Sequence, residues 1–221
     1  MTLTHFAIIA VCAYLFGSLS FAIIVSKVTL GKDIRNYGSG NAGLTNAYRT
    51  MGAKKTLFVL LGDIAKGAAA VSVGWALGGP VGKLTAGIFV ILGHMFPLYF
   101  GFKGGKGIAA TAGLILAIHP AFIPMGVILF FGTFLLTHYV SLGSLLVYAG
   151  FLIEMVIMGQ MDLFSMPVGH RIEMYGIAAF LTAMAYWKHR ENIKRLLSGT
   201  ERKTYLFKKN KEALNQETKQ I

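Results

Sequence analysis

From Thr4 to Trp187 the chain is a succession of long apolar blocks, separated by short turns that carry glycine, lysine and arginine. About 20 apolar residues cross the ~30 Å hydrocarbon core of a bilayer. The blocks run from Thr4 to Val28, Thr56 to Leu77, Leu84 to Phe100, Ile108 to Tyr139, Ser141 to Met158 and Arg171 to Trp187. They are continuous rather than amphipathic stripes, so lipid is the expected solvent.

The totals agree. Charged residues make up 14% of the 221-residue chain and mean hydropathy is +0.61, against about 25% charged residues in an ordinary soluble domain. The net charge of +12 is concentrated between the blocks and near the C-terminus. That pattern fits cytoplasmic loops and anionic lipid, so membrane lipids and not nucleic acid are the expected partners. Cys12 is the single cysteine, which excludes an intrachain disulfide. The run from Phe6 to Val25 has no basic flank before it and is long enough to span, so it reads as a retained helix rather than a signal peptide.

The fourth block contains "HPAFIP", and Pro120 and Pro124 are expected to divide it into helices over Ile108–Ile118 and Ala121–Thr137. Seven crossings with the N-terminus outside put nearly every Lys and Arg on one side, whereas six would separate the basic C-terminal stretch from the glycine–lysine loop. The sequence therefore predicts an all-α integral membrane protein of seven transmembrane helices, N-terminus outside and C-terminus cytoplasmic. Residues 1–198 form the membrane domain and 199–221 a basic polar tail.

With that topology three polar clusters share the cytoplasmic face. The first, "YGSGNAGLTNAYRTMG", sets Gly38 and Gly40 beside Ser39, Asn41, Thr45 and Arg49. Glycines let successive N–H groups converge on an anion, and arginine grips phosphate or carboxylate bidentately. The same residues also suit a turn-rich connector that caps the next helix. The second, "FKGGKGIAAT", places Lys103, Gly104, Gly105, Lys106 and Gly107 just before a short helix whose orphan N–H groups favour negative charge; a tight basic turn is the plainer alternative. The third, "HRENIKRLLSGTE", puts His189 and Asn192 three residues apart on one helical face. Glu191 is placed to pair with Lys194 or Arg195.

Asp63 and Lys66, one turn apart inside a span, are expected to pair with each other and to support the helix beside the site. His94 and Pro97 read as interfacial and kink-forming, and Ser141 and Ser144 as interhelical packing. No set of His, Cys and carboxylates has metal-ligand spacing, so neither a metal nor a cofactor is expected.

"GSGNAGLTNAYRTMG", "FPLYFGFKGGKGIAAT" and "HRENIKRLLSGTE", in that order, resemble the bacterial acyl-phosphate:glycerol-3-phosphate acyltransferase family over about Phe6 to Glu201. The resemblance implies an inner-membrane enzyme with its site facing the cytoplasm. Its substrates would be acyl phosphate and glycerol 3-phosphate, and its products lysophosphatidic acid and phosphate. It implies catalytic roles for Ser39, Asn41, Thr45, Arg49, His189 and Asn192. It implies substrate binding by Gly38, Gly40 and the loop Lys103, Gly104, Gly105, Lys106 and Gly107, with Glu191 structural. Two positions depart from the family pattern: Ala42 stands where proline is usual, and His138 where arginine is usual. A membrane transporter or scramblase for phosphorylated metabolites or lipids is the alternative, resting on the broken helix at Pro120 and Pro124 and on the Asp63–Lys66 pair.

Overall fold

The computed structural model describes residues 1–163 and 168–205. Among these residues every regular element is helical. The helices are α1 (Leu3–Gly17), α2 (Phe21–Leu30), α3 (Leu44–Met95), α4 (Ile108–Ile118), α5 (Phe122–Thr137), α6 (Val140–Gln160), α7 (Val168–Lys188) and α8 (Arg190–Leu197). Three stretches, Leu3–Leu30, Leu44–Phe100 and Val140–Gln160, are long and apolar enough to cross a membrane. The side chains facing outward are those expected against lipid, with Leu3, Val28, Leu136 and Ile172 almost fully exposed.

The first apolar block differs from the single helix expected of it. It breaks after Gly17, because Ser18 Oγ bonds back to Tyr14 O at 2.8 Å and accepts Leu98 N–H at 3.2 Å, while Ser20 is extended. The break leaves the Leu19 carbonyl without a helical partner, and a buried lysine takes it, as described below.

α3 looks continuous but is not. Gly52 (φ 75°) and Gly79 (φ 58°, ψ −146°) lie outside helical backbone. The second conformation is essentially open only to glycine. Pro80 follows Gly79 and starts the next helical run with its φ preset. The chain folds back there, so that Gly74 lies against Gly82 and Ala86. The two apolar blocks predicted over Thr56–Leu77 and Leu84–Phe100 are thus the two arms of one hairpin. The division of the fourth block at Pro120 also appears, with α4 ending at Ile118 and α5 starting at Phe122. A π turn over Ile128–Gly132 interrupts α5.

α4 crosses the first arm of α3 at van der Waals limits. A Cβ on Gly67 would lie 2.3 Å from Ala110 O, and one on Gly113 would lie 2.0 Å from Ile64 O. Small residues at such crossings let backbones meet where apolar burial gives no drive between helices. Around them sits the core of Val71, Val90, Ile91, Leu114, Phe122, Phe151, Met155 and Leu181. Tyr148, fully buried, reaches Thr111 Oγ1 with its hydroxyl at 2.8 Å. Gly113→Val should force α4 off α3 and destabilise the protein by about 1–3 kcal/mol, read as a lowered thermal midpoint in detergent.

Candidate active site

The first polar cluster is organised by Asn46, whose polar groups serve the loop itself rather than standing free for an anion. Asn46 is buried; its Oδ1 accepts the Ser39 N–H at 2.9 Å, and its Nδ2 donates to Ile34 O at 3.2 Å and Tyr37 O at 3.0 Å. One side-chain amide thereby closes the glycine loop on itself at the start of α3. Arg35 joins this loop to the second: it pairs with Asp33 at 2.8 Å and donates to Phe100 O at 2.6 Å.

These loops, the α7–α8 junction and residues 201–202 enclose a cleft of about 510 Å³. Gly38, Ser39, Gly40, Asn41, Thr45 and Arg49 all line it, with Lys106, Gly107, His189, Glu191 and Asn192. Asp63 and His94 lie at its floor. Lys103, Gly104, Gly105 and Lys66 do not line it. Lys103 is exposed, and the two glycines are packed behind the lining, where a Cβ on Gly104 would meet His94 O at 2.1 Å. Gly107 adopts φ 92° and caps α4, so that helix begins with Ile108 and Ala109 in the cleft wall.

α7 ends at Lys188, and the chain kinks at His189 before α8. His189 Nδ1 donates to Ala185 O at 2.8 Å, because a carbonyl can only accept. Nε2 is therefore the unprotonated nitrogen. Burial, then the charge of Lys106, push the imidazole down to about 4, so it is neutral at pH 7. Burial likewise lowers the Lys106 ammonium to about 8, with Glu201 opposing and Arg195 and Arg49 reinforcing the shift.

Lys106 donates to Asn192 Oδ1, and Asn192 Nδ2 donates to Glu201 Oε1 at 2.6 Å. Glu201 also accepts from Ser141 Oγ at 2.8 Å and from Arg195 Nε at 2.8 Å. Burial alone would raise the Glu201 carboxyl, but these three hydrogen bonds outweigh it and hold the group below the usual range. Arg49 Nη2 donates to Thr204 Oγ1 at 2.8 Å and Arg202 O at 3.3 Å. Glu201 and Arg202, read from the sequence as part of a polar tail, therefore line the cleft, and Thr204 contacts Arg49; residues 206–221 fall outside the described residues. Glu201, Ser141, Lys188, Arg195 and Arg202 were not singled out as site residues. Glu201 stands at the end of the quoted motif, but only folding shows that it receives Asn192. Glu191, on the other hand, pairs with Lys194 at 3.5 Å on the surface, as its spacing suggested.

Beside the polar cleft runs an apolar groove of about 510 Å³, floored by α4 and walled by Thr56, Leu60 and Ile64 of α3 and by Ile123 to Phe134 of α5. Leu44, Thr45, Ile108, Ala109, Phe130 and Val140 line both spaces. A cationic cleft and a hydrocarbon-lined groove thus share one wall.

A family model described as glycerol-3-phosphate acyltransferase matches residues 7–199. The chain belongs to the glycerol-3-phosphate acyltransferase family. It is 42% identical over 209 residues to the glycerol-3-phosphate acyltransferase of Clostridioides difficile, covering 92% of this chain and 97% of the relative. It is 40% identical to that of Halalkalibacterium halodurans, covering 89% and 94%. The crystal structure of PlsY (YgiH), an integral membrane glycerol 3-phosphate acyltransferase, in its glycerol 3-phosphate form matches with a TM-score of 0.82 and 33% identity, over 95% of this chain and 98% of that one. The lysophosphatidic acid form matches with a TM-score of 0.77 and 31% identity, over 91% and 96%. This member of the family is accordingly an integral membrane acyltransferase, with a place in phospholipid biosynthesis.

The loop geometry yields its own test. Asn46→Asp keeps the acceptor for Ser39 N–H but turns an acceptor toward two carbonyls, and should cost about 1–3 kcal/mol in thermal unfolding at neutral pH. The deficit should narrow on acidification, since a protonated carboxyl regains one donor.

Proposed function

We propose that the protein transfers an acyl group from acyl phosphate to the 1-hydroxyl of sn-glycerol 3-phosphate, releasing lysophosphatidic acid and phosphate. The observation that carries this reading is the shared wall between the cationic cleft and the apolar groove. An acyl phosphate fits with its chain in the groove and its phosphate among cations, while a soluble phosphomonoester reaches the other end of the cleft from water. The site faces the cytoplasm of a bacterial inner membrane crossed seven times, a reading supported by the grouping of Lys and Arg around the cleft.

In this scheme Arg49 and Lys106 neutralise the two phosphates. The first N–H groups of α4 bind phosphate oxygens, while Ser39 N–H and Gly40 N–H are spent on Asn46 Oδ1 and Tyr37 O within the loop. Acyl phosphate already carries a good leaving group, so positioning and charge neutralisation suffice. Direct attack is supported by the surroundings of Ser39: among the described residues no histidine or carboxylate hydrogen-bonds to its hydroxyl. The glycerol hydroxyl attacks the acyl carbon, the carbon–oxygen bond to phosphate breaks, and the hydroxyl proton passes to the departing phosphate. His189, neutral with Nε2 as acceptor, orients that hydroxyl; a group at about 4 holds little proton at neutral pH. Asn192, fixed by Glu201, steers Lys106 until a phosphate replaces it.

Two measurements test the proposal. Protein in lipid-like detergent, given palmitoyl phosphate and glycerol 3-phosphate without CoA or metal, should release phosphate and form lysophosphatidic acid in equal amounts; binding without turnover would favour a transporter. Lys106 is charged below about 8 and loses its charge above it. Thus kcat/KM for glycerol 3-phosphate should be sustained at neutral pH and fall as pH rises through about 8, read from a pH–rate profile.

A further inference from the structure

His94 was expected at a membrane interface; instead it is 3% exposed at the floor of the cleft. Its Nδ1 lies 3.0 Å from the Lys66 ammonium, which also lies 2.7 Å from Asp63 Oδ1 and 2.7 Å from Leu19 O. An ammonium has three protons to give and none to receive. Three acceptors surround it, so Nδ1 must offer its lone pair. That fixes the neutral imidazole as the Nε2–H tautomer, and the 3.4 Å separation of Nδ1 from Asp63 Oδ1 is that of two acceptors facing one ammonium.

The Nε2 edge points the other way. A Cβ built on Gly105 would lie 2.4 Å from His94 Nε2 and 2.8 Å from Ala42 O, which puts Nε2 between the two glycine loops. Any side chain at position 105 would displace it. The backbone is tied to the same place, since Gly105 N–H donates to His94 O at 3.2 Å. Among the described residues Nε2–H has no hydrogen-bond acceptor. His94 lines the cleft, and its unpaired Nε2–H is not sealed in the core; the ring is oriented by a lysine that cannot serve the cleft itself.

We propose that His94 is a substrate-binding residue whose Nε2–H donates to a phosphate oxygen held between the two loops, and that Lys66 and Asp63 are positioning residues that fix its tautomer. The ligand class is a phosphomonoester or an acyl phosphate; this rests on the reading of the cleft given above. The contact is neutral, adds no charge to the site, and discriminates in favour of an acceptor-only ligand.

His94→Asn keeps an oxygen where Nδ1 meets Lys66 but removes the distal donor, whereas His94→Gln returns an N–H to the Nε2 position. His94→Asn should retain the wild-type thermal midpoint without phosphate and raise KM on the order of tenfold for one phosphate substrate, with kcat changed less. The substrate whose KM moves, glycerol 3-phosphate or palmitoyl phosphate, identifies which phosphate is held. His94→Gln should recover most of the affinity. An unchanged KM for both substrates in His94→Asn would overturn the proposal. A readout independent of turnover uses wild-type protein with ring-labelled histidine, titrated with inorganic phosphate. One imidazole N–H resonance, missing from the His94→Gln spectrum, should shift. If phosphate raises the thermal midpoint while that resonance stays fixed, His94 does not bind it. If the resonance shifts but no acyl transfer is found, the binding role stands and the reaction assignment fails instead.

Discussion

The arrangement on which the rest depends is the ammonium of Lys66, buried within an apolar bundle and surrounded by Asp63, Leu19 O and His94. An unpaired charge there would be prohibitive, and even a paired one is repaid only when its hydrogen bonds are complete. Each acceptor comes from a different part of the chain: the break between α1 and α2, the first arm of α3, and the second arm after the Gly79 hairpin. Satisfying the lysine therefore requires these parts to be assembled in one register. The second glycine loop hangs from the same point, through Gly105 and the His94 carbonyl. The interior charge and the cleft surface are in this way one construction.

A second chain of contacts governs the other side of the cleft. Lys106, Asn192 and Glu201 are linked donor to acceptor, and Ser141 and Arg195 complete the carboxylate's shell. An asparagine amide has one donor end and one acceptor end; Glu201 takes the donor end, so the oxygen is turned to Lys106. Glu201 is ion-paired with Arg195 at 2.8 Å, which offsets its charge locally. The cleft thereby keeps a positive character even though carboxylates stand within it.

Several features were legible in the sequence for plain reasons. Lipid-length apolar blocks, proline at 120 and 124, and glycines at loop positions act through local backbone chemistry, and the helix boundaries at Ile118 and Phe122 follow from them. Motif order identified the glycine loops and the pair His189 and Asn192. Less was legible where the partner is remote. Asn46 and His94 carry no local mark, since one looks like a helix-start amide and the other like an interfacial ring. The first apolar block showed no proline to announce its break at Ser18, because that break is stabilised by Leu98 N–H, 80 residues away.

By itself the sequence determined that this protein lives in lipid, that its polar chemistry comes in three clusters, and where most helices stop, because hydropathy and backbone freedom are properties of neighbouring residues. Only the tertiary structure decided which donors are already occupied. It assigned Arg35 to Asp33 and to the second loop, Lys66 to the interior and Glu201 to Asn192, and among the described residues left the Nε2–H of His94 without an acceptor. A hydrogen bond is directional and short, so whether a polar side chain serves the fold or faces a ligand is set by the few ångströms around it, which no spacing along the chain encodes.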